Sequence, residues 1–303
     1  MSTTGSEGHG EFVLGSLDPS AAMPHGRHSV LRRVVGEPAV ALLVQRALVM
    51  EVAHPKVAAG VADHSSFRTR PVSRAWVTAD AALRLVFGDS RTARGAVRQI
   101  YRTHDHINGT VAGSSLYTAH DASLLRWVWA TLVDTAEVAY TRWVRPFEPG
   151  EGERFYQEMT ATAQFLGIPG DLLPPDRIAF GAYLDSVLDG DELGCTDTTL
   201  ALARQVLWFR HRAVAPAVVR IERALALATL DTRLLARLDL EPSPADERLG
   251  RHADTLLRDH YHRLPRWRTQ LGPAYVAARR PSIGLWRRLS SVVPVPHPLA
   301  PTP

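Results

Sequence analysis

From about residue 30 to about residue 260 the apolar positions recur every three to four residues, the spacing that lines one face of an α-helix. Pro38 suits the first turn of a helix running to His54, because a first-turn residue has no use for the missing N–H. Ser73 is placed to cap a helix that reaches Phe87 and stops at Gly88. Ser90 is placed to cap the next, which runs through His104 toward Asn108-Gly109. Asp121 is placed to cap a long helix from Ala122 to Val144, ended by Pro146. Helical periods continue over 150–166, 175–189, 196–211, 214–229, 231–237 and 244–261, each punctuated by Gly, Pro or Asp-rich turns. Strand signals are nearly absent, with no alternating β-branched run set between Asn-Gly or Asp-Gly turns. The pattern predicts an all-α fold: one multi-helix globular domain around an internal apolar pocket.

Residues 1–27, rich in Gly, Ser, Pro and His, have no hydrophobic period and are expected to form a flexible arm. The main domain is expected over 28–240, a helical appendage over 241–292 and a Pro-rich tail over 293–303. The apolar stretches at 39–53 and 213–230 are interrupted by Arg46, Glu51, Arg220, Glu222 and Arg223, which argues against a membrane span. The first residues lack a basic segment leading into an apolar run, so a cytoplasmic protein is expected.

Charge and cysteine content narrow the chemistry. Lys56 is the only lysine, and the arginines are scattered among 31 acidic residues, so no basic stripe of the kind that binds nucleic acid stands out. The single cysteine, Cys195, excludes an intrachain disulfide and a thiolate metal cluster. No Gly-x-Gly-x-x-Gly or Walker pattern offers a phosphate cradle, so the expected ligand is lipophilic or aromatic and carries no phosphate.

The segment Arg46 to Phe67 carries the strongest chemical signal. Glu51 lies in an apolar run, and carboxylates are rarely buried without a partner. Three residues on stands His54, so on a continuous helix the two share a face. The pair reads either as a site, with Glu51 as general base, or as a bond holding two helices in register. Glu-x-x-His is also the spacing of carboxylate-bridged di-iron bundles, but no second such motif occurs. A mononuclear metal held by His54, His104 and a carboxylate such as Glu51 or Asp105 remains open. His104-Asp105-His106 closes one helix and His120-Asp121 opens the next. Asp63-His64-Ser65 is not a catalytic triad, because consecutive residues cannot reach one another in the required geometry. Among the arginines, Arg46 and Arg70 stand out as partners for a carboxylate. The basic, aromatic run Arg258 to Arg268 reads as a partner surface, a membrane-surface contact or a solvated helix end.

The string Arg46 to Phe67, Arg70-Pro71, Val86-Phe87-Gly88 and Leu124 to Leu132 together resemble the MpaB-like oxygenases, the family that includes the latex-clearing protein, a rubber oxygenase. The resemblance covers roughly residues 28 to 240. It implies an all-helical fold and, in characterised branches, a b-type heme and dioxygen chemistry. It selects His104 over His106 as the site histidine, and it places Arg46, His64, Arg70 and residue 129 about the cofactor. The family's usual run Trp-Val-His-Ala-Thr-Leu is here Trp127-Val128-Trp129-Ala130-Thr131-Leu132. As aligned, the axial heme histidine falls at Trp129. An indole nitrogen is a donor without a lone pair to offer iron. Three possibilities follow: His104 or His54 supplies the ligand, the protein binds no heme, or the site is reused. Trp129 itself reads as core packing or as a flat face for a ring substrate. The expectation is an oxygenase-like redox enzyme using a b-type heme on a lipophilic or aromatic small molecule. The alternative is a heme-free member that uses the same pocket for non-redox catalysis or for binding.

Overall fold

The computed structural model describes residues 28–64, 71–111, 115–194, 196–212 and 214–264, leaving aside the side chains of 71–76. Caps set much of the local structure. In α1 (Val30–Val35) the Ser29 hydroxyl accepts the Arg32 N–H at 3.0 Å. The Glu158 carboxylate supplements that cap, accepting from Ser29 Oγ at 2.6 Å and from the Leu31 N–H at 2.7 Å. These acceptors satisfy donors that a helix start leaves orphaned.

The helix expected over 38–54 is two helices, α2 (Pro38–Ala41) and α3 (Val44–Val52). Between them Leu42 and Leu43 make tight i→i−3 bonds to Ala39 and Val40. The break turns Leu43 fully inward, into a cluster with Ala39, Ala139, Trp143 and Leu225. Packing decides here, since no local residue demands a stop. α4 (Pro55–His64) follows at once. α5 (Pro71–Phe87) begins at Pro71, so Ser73 lies inside the helix rather than capping it. α6 (Ser90–His104) is capped by Asp89, not Ser90, with the carboxylate accepting the Thr92 N–H at 2.8 Å.

A small hairpin then interrupts the helices: β1 (Asn108–Val111) pairs antiparallel with β2 (Ser115–Thr118), Asn108 opposite Thr118 and Gly109 opposite Tyr117. It is held from outside. The Tyr117 hydroxyl donates to Asp63 Oδ2 at 2.7 Å and the ring lies over Gly60 of α4. A Cβ on Gly109 would come within 2.7 Å of that hydroxyl, so the strand needs glycine there.

α7 (Ala122–Ala139) starts at Asp121, whose carboxylate accepts the Ser123 N–H at 2.9 Å, and ends in a π-turn over Tyr140–Val144. The remaining helices are α8 (Glu151–Phe165), α9 (Arg177–Asp189), α10 (Asp197–Leu207), α11 (Pro216–Thr229), α12 (Thr232–Arg237) and α13 (Pro244–His260).

α7 divides the core. Trp127 packs with Met50, Val187, Leu202 and Leu227 on one side, and Trp129 with Tyr156, Phe180 and Val133 on the other. Tyr183 and Leu184 of α9 touch both groups. At ~25 cal/mol per Å², a tryptophan burying about 200 Å² contributes roughly 5 kcal/mol of gross stabilisation. α13 lies close against α11: a Cβ on Gly250 would sit 2.8 Å from the Ala224 carbonyl oxygen. Asp246 pairs with Arg223 at 2.6 Å, and Asp254 takes Arg142 and the Trp143 N–H. Among the described residues no helix is long and apolar enough to cross a membrane.

Candidate functional site

Glu51 is half-buried on the last turn of α3. α3 ends at Val52, so His54 stands past it and the two do not share one continuous helix. His54 instead begins α4. Its carbonyl accepts the Ala58 N–H at 2.9 Å, and its Nδ1 accepts the Lys56 N–H at 3.2 Å, as a capping side chain does. A neutral ring that accepts at Nδ1 carries its proton on Nε2. Burial pushes the His54 pKa below the ordinary histidine value, an effect that the charges of Glu192 and Asp121 partly offset. The result is a neutral imidazole offering an N–H.

A second group of rings lies where α6 ends and α7 begins. His104 is half-buried, with its ring centroid 6.0 Å from that of His120, edge to face. His120 Nε2 meets Asp105 Oδ1 at 2.8 Å, and its ring lies 5.3 Å from that of Tyr101. The Tyr101 hydroxyl donates to the Leu166 carbonyl, and burial lifts its pKa to about 12. His120 adjoins Asp121, the cap of α7, so the His104 group lies at the start of that helix. His120 was visible in sequence only as one of a run of histidines. Its pairing with Asp105 depends on the hairpin closing the chain between them, and no local pattern reports that.

Other sequence candidates lie elsewhere. His64 is exposed at the end of α4, with Nε2 2.9 Å from the Asn108 carbonyl oxygen, so it helps pin the hairpin. Arg70 lies outside the described residues. Arg46 is buried and fully used: it meets Asp134 at 2.6 Å, donates to Thr135 Oγ1 at 2.8 Å and to the Thr229 carbonyl at 3.2 Å, and touches Met50 Sδ. Those partners tie α3 to α7 and α11.

Trp129 lies eight residues beyond Asp121, about 12 Å along the helix, in the core facing α8 and α9. Its Nε1–H donates to the Met159 carbonyl at 3.0 Å, and its ring meets those of Tyr156 and Phe180 edge-on at 5.8 and 5.6 Å. This side chain packs and donates, and it has nothing to give a metal. A heme ligated from this position therefore does not fit the residues present. Among the described residues, no three His, Cys, Asp or Glu side chains are grouped to hold a metal ion, so the set of His54, His104 and a carboxylate is not assembled.

Comparison with known proteins bears on the whole arrangement. Residues 32–259 match the model of the family described as ER-bound oxygenase mpaB/B'/Rubber oxygenase, catalytic domain. Two curated relatives, the uncharacterized protein Mb2261 of Mycobacterium bovis and the uncharacterized protein Rv2237 of Mycobacterium tuberculosis, are each 31% identical over 160 residues. The aligned stretch is 49% of this chain and spans 60% of each relative's length. No solved structure matches the chain.

Proposed function

Because the chain belongs to the family of ER-bound oxygenase mpaB/B' and rubber oxygenase catalytic domains, we propose that it is an oxygenase-type redox enzyme acting on a lipophilic or aromatic small molecule, with dioxygen as co-substrate. The observation that carries this reading is the family match, which runs from α1 to the end of α13. We place the reaction at the head of α7, where His104 stands beside His120, and assign His54 and Glu51, from the junction of α3 and α4, to the same site.

The roles we assign rest on the chemistry of the polar groups. His54, neutral and with its N–H at Nε2, is a donor toward a substrate oxygen. His104 is the second site imidazole. Glu51 is the proton acceptor. Arg46 holds α3 against α7 and so positions Glu51 and His54. In the family resemblance a b-type heme supplies dioxygen activation. Since Trp129 does not fit that group, no step here passes through it.

The test is dioxygen uptake by the purified protein across a panel of lipophilic and aromatic compounds, followed by product mass. The expected result is uptake that depends on one compound class and falls by about 10²-fold or more in His54→Ala and His104→Ala, the range that general acid–base groups contribute. Uptake that never exceeds the protein-free control, in the presence or absence of added heme, refutes the proposal. A second reading, a heme-free member that binds a hydrophobic molecule or turns it over without redox chemistry, is favoured by the packing of Trp129. It predicts binding of the same compounds with no dioxygen consumed.

A further inference from the structure

We infer that the folded, resident form of this protein carries no heme, and that Trp129 fills the space and the ligand position that a heme would take on α7. The inference rests on the family reading above and concerns its cofactor.

The indole is committed on every side. Its N–H goes to Met159 of α8, its edges meet Tyr156 of α8 and Phe180 of α9, and Ala130 and Val133 beside it on α7 are fully buried. A porphyrin is far larger than any gap left by a histidine in a close-packed interior, where even one methylene is felt. Admitting it at this position would require α8 and α9 to move apart.

The other imidazoles that could supply a ligand are also engaged. His54 Nδ1 accepts the Lys56 N–H, which leaves Nε2 protonated, and a protonated nitrogen has no lone pair for iron. To ligate through Nε2, the ring would have to change tautomer and give up its cap on α4. His64 Nε2 is held at the Asn108 carbonyl, and His120 Nε2 at Asp105. His104 is half-buried, meets His120 edge to face, and is itself partnered in the fold.

The experiment uses full-length protein from cells supplied with a heme precursor. Heme content is measured by the pyridine hemochromogen method, and hemin is then titrated into wild type, Trp129→Phe, Trp129→His and His104→Ala, with absorbance and melting temperature recorded. The expected wild type is folded by circular dichroism, far below one heme per chain, with only the broad spectrum of unligated hemin on titration. Trp129→Phe should behave alike. Trp129→His should gain no ligated Soret band either, because the ring has no room between α8 and α9; a band in that variant would overturn the claim that the space is filled. If Trp129→His fails to fold, the wild-type titration decides alone. One heme per chain in wild type overturns the inference, and loss of the band in His104→Ala would then name the ligand.

Dioxygen uptake separates this idea from the proposed function. Uptake by heme-free protein leaves both standing. Uptake only after heme is added refutes the inference and keeps the oxygenase reading. No uptake under either condition refutes the oxygenase reading while a negative heme titration upholds the inference.

Discussion

Replacing Arg46 with methionine separates a structural role from a cofactor-binding one. The guanidinium is 5% exposed and its partner Asp134 is 23% exposed. Breaking a buried ion pair by removing one partner costs about 3–5 kcal/mol, because the remaining charge stays buried. Asp134 keeps some water, which moves the cost to the lower end. Thr135 Oγ1 and the Thr229 carbonyl lose a donor as well. Methionine fills most of the space, so the cavity term is small. The sum is about 3 kcal/mol, and for a domain of this size each kcal/mol lowers the melting temperature by about 2–4 °C, giving a drop of about 6–12 °C. The assay is thermal melting of the ligand-free protein by circular dichroism. Arg46→Met/Asp134→Leu should recover much of the loss, since an apolar replacement of both partners is often neutral, and the coupling should reach about 1.5–3 kcal/mol. An Arg46→Met protein that melts within about 1 °C of wild type would refute the reasoning and return Arg46 to the ligand-binding residues.

Three further outcomes follow. Hydrogen bonds from Arg145 hold the Glu151 carboxyl at about 2, well below the ordinary range, so its contribution is present above that range and is lost as pH falls toward 2. Melts of Glu151→Gln against wild type should therefore differ most near neutrality and converge in acid. Burial raises the Glu222 pKa, with the Gln45 hydrogen bond partly opposing, so the folded state favours the protonated acid and loses stability as pH rises through the raised value. Glu222→Gln should gain stability relative to wild type on going from acid to neutral pH, and an unchanged gap would exclude this origin. Gly109→Ala should cost about 1–3 kcal/mol by forcing Tyr117 off its contact, visible as lost amide protection in the hairpin and on α4.

The helices were legible where a cap residue and an apolar period agree. Asp121 announces α7. The break at Leu42-Leu43 was not, because the six apolar residues Ala39 to Val44 read as continuous helix and only the fit of Leu43 against Trp143 and Leu225 stops it. The hairpin was hidden for a related reason: its strands are four residues each and depend on Asp63 and Gly60, fifty residues away. At the site, sequence spacing brought Glu51 and His54 into view but assumed that they share a helix. The turn after Val52 gives His54 a capping role instead. The departure at Trp129 was plain in the sequence, whereas the engagement of its N–H with Met159 emerges only from the packing of α8.

Trp127 and Trp129 stand two residues apart, and their N–H groups reach carbonyls on opposite sides, Met50 on α3 and Met159 on α8. Together they fix the rotation of α7 about its own axis as two bolts fix a shaft. A turn by one residue position, about 100°, would tear both bonds and send both rings out of their clusters. The same two bonds also resist sliding, so α7 is an anchored axle on which both halves of the core are built.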